Sequence, residues 1–156
     1  MLTWIAVAIG GTFILAVWLG VDNWSRDFTT NFAELDSENA DVHLRPRLLE
    51  ASPESVAESI SRWASRHSGW AVESKTQLDA SIRLHLTRTT PLFRFVDDIH
   101  VTLVGIDGKT RLDAESRSRV GIGDLGQNPR NLKELLAGLE VMQLDEIQYD
   151  QRESKT

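Results

Sequence analysis

The sequence predicts a small α+β domain, an antiparallel sheet of four to five strands with two helices packed on one face, preceded by one N-terminal transmembrane helix. Three observations carry this prediction. Between Trp70 and Arg119 apolar and polar residues alternate in four runs, the signature of strands with one wet face. On either side of those runs, after Pro53 and after Pro129, apolar residues instead recur at helical spacing. Finally, Leu2 to Val21 contains no charged residue.

These signals divide the chain into an anchor over residues 1–24, a polar linker over 25–42, a folded domain over 43–146 and a polar tail over 147–156 that is expected to fray. At about 1.5 Å per residue the uncharged stretch reaches roughly 30 Å, the thickness of a bilayer core. Trp4, Trp18 and Trp24 stand near its ends, where indole rings favour the headgroup boundary. A cleaved signal peptide would begin with a basic region, have a shorter apolar run and be followed by an A-x-A site, whereas here the basic start is missing, the run is longer and no such site follows it. The expected location is therefore a cell membrane, crossed once. The side of the folded domain stays open, because only Arg26 lies close to either flank. The expected partner is the lipid bilayer through residues 2–21. Gly10, Gly11 and Gly20 would allow a weak homodimer or a membrane-protein partner.

The formal net charge of −6 argues against nucleic acid. The absence of cysteine removes disulfides, thiolate metal sites and cysteine nucleophiles. No cofactor is expected. Asp22 to Asp41 mixes acidic and small polar residues without periodicity and reads as a solvated spacer.

Leu44 to Leu49 reads as a short edge strand, a place where Pro46 is tolerated. Ser52-Pro53 is a helix start, since the hydroxyl can cap free N–H groups and proline suits the first position. Val56, Ile60, Trp63 and Ala64 then share one face, and Gly69 supplies the left-handed turn that ends the element. At this spacing Trp63 is core.

Strands are expected over Trp70–Thr76, Ser81–Thr87, Phe95–Val104 and Thr110–Arg119. Asp107-Gly108 between the last two is a type I′ turn signal. A symmetric turn there pairs Val101 with Ala114 and Leu103 with Leu112 on the buried face, and His100 with Glu115 and Asp98 with Arg117 on the other. The wet face then gathers Arg83, His85, Asp98, His100, Glu115 and Arg117. Asp97 points the opposite way, toward the helices and Ser118, and needs a partner there, with Arg119 or loop N–H groups nearest.

Gly121 to Gly126 spells G-x-G-x-x-G, but without a parallel βαβ unit it is not a dinucleotide site. A loop at a helix N-terminus with Arg117, Arg119 and Arg130 nearby could instead hold an anion, or be a structural loop in which Asp124 caps N–H groups or pairs with an arginine. Leu132, Leu135, Leu136 and Leu139 line the final helix, which should lie beside the first on the sheet.

Arg88, Thr89, Leu92, Phe93, Phe95, Val96, Asp97 and Asp98 form one block, and Ser116, Ser118, Arg119, Gly121, Asp124, Gly126, Asn128 and Arg130 a second. In these two blocks the chain resembles the family called domain of unknown function 1499. Glu115 stands where members often have arginine, and the upstream cysteine segment of many members is absent. The resemblance implies no activity, substrate or catalytic residue.

The expected function is a non-catalytic accessory or binding module at the membrane surface. One alternative is a metal-dependent enzyme using Asp98, His100 and Glu115 on the polar sheet face. The other is an anion or phospholipid-headgroup binder at the Gly121–Gly126 loop. The ligand-binding candidates are Arg88, Asp98, Arg117, Arg119, Asp124 and Arg130.

Overall fold

The computed structural model describes residues 30–121 and 124–153, with side chains as far as Met142. The elements run β1 (Phe32–Glu34), a 3-10 turn (Val42–Leu44), β2 (Arg47–Leu49), α1 (Pro53–Arg66), β3 (Trp70–Leu78), β4 (Ser81–Thr89), β5 (Val96–Ile106), β6 (Lys109–Ser118) and α2 (Gln127–Glu153). All strands pair antiparallel in one six-stranded sheet of order β1-β6-β5-β4-β3, with β2 also on the outer edge of β6. The architecture is α+β, as the sequence predicts, with six strands rather than four or five.

The register follows from the turns. Asp107 and Gly108 both take positive φ, 49° and 80°, as a type I′ turn demands. Val101 faces Ala114, Leu103 faces Leu112, His100 faces Glu115 and Asp98 faces Arg117, as expected. With side chains alternating along each strand, Ile82, Leu84, Leu86, Ile99, Val101, Leu103 and Leu112 all fall on one face and are fully buried there. Helix α1 covers β3, β4 and β5 with Val56, Ile60, Trp63 and Ala64, and α2 covers β6 and β1 with Leu132, Leu135, Leu136 and Leu139. Ser52 Oγ accepts from Ser55 N at 3.2 Å, so the first helix is capped where the sequence places the cap.

Four expectations need correction. Residues 25–42 are not all linker: Phe32–Glu34 forms β1, and Leu35 beside it is buried. The edge of β6 supplies the hydrogen bonds that this short segment could not organise by itself, with Phe32 facing Arg117 and Glu34 facing Glu115. Leu44 belongs to the 3-10 turn, and the strand begins after Pro46, where a missing N–H costs no ladder bond. The tail expected to fray over 147–156 is helical to Glu153, continuing a segment rich in strong helix formers. Asp97 is buried as expected, but its partner is not Arg119. The amide Nδ2 of Asn131 donates to it at 2.9 Å, because the first turn of α2 sits directly beneath that end of β5.

The Leu2–Val21 stretch lies outside the described residues. Among the described residues no helix is long and apolar enough to cross a membrane.

Candidate functional site

Both helices occupy one face of the sheet, so among the described residues no helix covers the opposite face of β3 to β6. A concavity of about 620 Å³ lies on it, lined among others by Glu34, Arg83, His85, His100, Thr102 and Glu115. Strand parity alone puts these side chains there, and the β4–β5 register sets His85 directly opposite His100. The two imidazoles stack with centroids 4.6 Å apart and planes inclined by 22°.

Asp98 organises the rim. Arg119 grips it bidentately, Nε donating to Oδ2 at 2.8 Å and Nη2 to Oδ1 at 2.7 Å. His85 Nε2 lies 2.7 Å from the same Oδ1. The Arg119 guanidinium above all, with His85 adding to it and partial burial opposing it, holds the Asp98 carboxyl down to about 2. An ionised Asp98 can only accept, so the proton in this contact sits on His85 Nε2. Nearby, Thr87 Oγ1 donates to Glu73 Oε1 at 2.8 Å, a carboxylate brought to this face by the bulge between Val72 and Ser74.

Of the sequence-predicted ligand residues, the structure brings Asp98 and Arg119 together and disperses the rest. Arg88 points to the helix side: Nη1 donates to Ser68 O and Thr89 O, the guanidinium lies 5.7 Å from the Trp70 ring, and Nε is 3.6 Å from Glu134. Arg117 does not bridge to Asp98 despite facing it in register; its guanidinium lies 4.8 Å over the Phe32 ring. Asp124 caps α2, Oδ1 accepting from Gly126 N at 2.9 Å and Oδ2 from Asn128 N at 2.7 Å. Arg130 donates to Leu125 O at 3.0 Å. Among the described residues, Asp124 thus already holds the N–H groups of Gly126 and Asn128, which an external anion at this helix N-terminus would use. Gly123 of the G-x-G-x-x-G run lies outside the described residues.

The metal-enzyme alternative does not find its geometry among the described residues. Both oxygens of Asp98 are engaged by Arg119, and among the described residues no three His, Asp or Glu side chains are set to hold one metal ion. Nor does any serine or threonine hydroxyl bond to His85 among the described residues.

What sequence reading missed is a buried polar lattice beneath the sheet. Ser116 Oγ donates to Asn128 Oδ1 at 2.6 Å, Asn128 Nδ2 donates to Ser118 Oγ at 3.1 Å, and Asn131 Nδ2 reaches Ser116 Oγ at 3.3 Å as well as Asp97. Asn128 and Asn131 are fully buried. Asn128 and Asn131 therefore bolt the start of α2 to Ser116 and Ser118 on β6 and to Asp97 on β5. The available signal was Asn128 and Asn131 at i, i+3 on the face that also carries Leu132 and Leu135.

Residues 25–139 match the family described as "Protein of unknown function (DUF1499)". Among curated proteins there is no match. Of solved structures, the crystal structure of TTHA0849 from Thermus thermophilus is similar at 15% identity over 70% of this chain and 94% of that one, with a TM-score of 0.33.

Proposed function

Because the chain belongs to the DUF1499 family, whose description carries no activity, we propose its function from its own geometry: a non-catalytic binding module held at a membrane surface by its N-terminal segment. The observation that carries this reading is the division of labour between the two faces of the sheet. One face is sealed by both helices; the other leaves a concavity lined by hydrogen-bonding side chains, with His85 fixed by Asp98 and Arg119 on its wall. Its ligand is expected to be polar, because carboxylates (Glu34, Asp113, Glu115), a guanidinium (Arg83) and two imidazoles (His85, His100) line it. The uncharged Leu2–Val21 stretch supports the tether.

Two measurements test it. High salt should leave the full chain in the membrane pellet and detergent should release it; release by salt alone would remove the tether. For the concavity, native mass spectrometry of the full chain in mild detergent should detect a retained polar ligand. Hydrogen exchange should then slow across β4 to β6, and both effects should be lost in Arg83→Glu and His100→Ala. Protection confined to the Gly121–Gly126 loop, or turnover of the ligand, would count against this reading.

A further inference from the structure

The end of the sheet where β4 turns into β5 exposes large apolar side chains. Leu92 is 72% exposed, Phe93 58% and Phe95 50%, and Val120 on the neighbouring loop is 66% exposed. This tip is built, not loose. Thr90 N donates to Phe95 O at 2.8 Å, Phe95 N donates to Thr90 Oγ1 at 3.0 Å, and Arg94 N donates to Thr90 O at 3.1 Å. Phe93 and Phe95 stack with centroids 5.6 Å apart. The closed turn thus holds apolar groups outward beside an exposed Arg94.

The chain enters the domain at the same end. Ser118 N donates to Asn31 O at 3.0 Å, Asn31 Nδ2 donates to Gly121 O at 3.0 Å, and Asp124 N donates to Thr30 O at 3.3 Å. Arg119 N, one residue on, donates to Val96 O at 3.1 Å, which places that entry point beside the base of the tip. Twenty-nine residues precede Thr30, and they include the uncharged Leu2–Val21 stretch. Only eight residues, Asp22 to Thr29, separate that stretch from Thr30, so the spacer can hold this end no more than about 30 Å from the bilayer.

We propose that the Leu92–Phe95 tip, with Val120, docks into the interfacial layer of the bilayer that holds the N-terminal segment, Arg94 resting among anionic headgroups. The proposal builds on the membrane-held reading above. Aromatic and aliphatic side chains beside a cation are the chemistry the interface favours. Docking orients the domain. The wet face, whose strands run away from the tip, then stands across the membrane plane with its concavity open to the side.

The absence of cysteine makes a direct test practical. The full chain is reconstituted in vesicles of phosphatidylcholine and phosphatidylglycerol, with one environment-sensitive fluorophore on Leu92→Cys or, as a control, on Lys109→Cys at the opposite end of the sheet. Leu92 lies in a turn and is largely exposed, and Lys109 opens β6 next to the Asp107-Gly108 turn with only a surface ion pair to Glu50, so folding is preserved. Position 92 should lose most of its emission to a lipid-borne quencher and resist aqueous iodide, and position 109 should do the reverse. A position 92 quenched by iodide as readily as position 109 overturns the docking while the tether stands. If position 92 is shielded from both quenchers, a protein covers the tip instead of lipid, which also overturns it. Release of the chain by alkaline carbonate removes the tether, and the docking with it.

Discussion

Asp98 is the residue on which the wet face turns, and its charge gives it a measurable signature. Its carboxyl sits at about 2 against an ordinary 3.8, so its contribution to stability is complete above the ordinary value and disappears as the pH falls from about 4 to about 2. Arg119 is half exposed, so solvent screening reduces the effect to about 1 to 2 kcal/mol. Asp98→Asn should therefore be less stable than the parent by that amount at neutral pH, with the gap closing through the acid window in urea titrations. A gap that persisted unchanged at the acid end would mean that the carboxylate is not what Arg119 and His85 stabilise. Beneath the sheet the expectation differs. Asn128→Ala leaves Ser116 and Ser118 without a shared partner in a buried setting, which should cost about 1 to 3 kcal/mol. The imidazole signals of His85 and His100 should stay where they are in NMR spectra, because the lattice supports the helix and not the wet face.

At the scale of elements, the contact between the helices depends on Gly138. A Cβ built there would lie 2.6 Å from Trp63 Cδ1, well inside contact distance of a buried ring. Helix propensity alone favours alanine by up to about 1 kcal/mol, but overpacking against a ring that cannot move costs about 1 to 3. Gly138→Ala should accordingly lower the melting temperature, and pairing it with Trp63→Leu should recover part of the loss; a rise in the single variant would show that the helices can part freely. No sequence pattern announced this, because a close approach belongs to two elements at once. What was legible had a local cause: the alternation of β4 to β6, the register fixed by Asp107-Gly108, and the Ser52-Pro53 start of α1. Alternation also turned Asp97 toward the helices, yet its partner depended on where α2 lands, and so Asn131 went unseen. Arg119 follows the last residue of β6, free of strand parity, and swings back over the wet face to Asp98. On the candidate site, the sequence supplied the members of the wet face but not which of them touch.

For the whole molecule the decisive boundary is the one before β1. Phe-Ala-Glu within a polar stretch has no period of its own, and only the open edge of β6 makes it a strand. A domain cut near Ala40 would discard β1, the buried Leu35 and the bonds from Asn31 and Thr30 to the Ser118–Asp124 region. One buried leucine at about 2 kcal/mol and a few hydrogen bonds at about 1 each suggest a loss of roughly 3 to 5 kcal/mol. That is a large part of the roughly 5 to 15 kcal/mol typical of a small domain. A fragment beginning at residue 25, where the family match starts, should unfold cooperatively in urea, and one beginning at Ala40 should unfold at markedly lower denaturant with fast amide exchange along β6. Equal midpoints would make β1 an accessory to the fold. The choice matters for function as well, since Glu34 lines the concavity and Thr30 accepts from Asp124 N where the chain enters the domain. The strand that completes the sheet also carries part of the wall of the concavity, so a ligand sought without it would be sought on an incomplete surface.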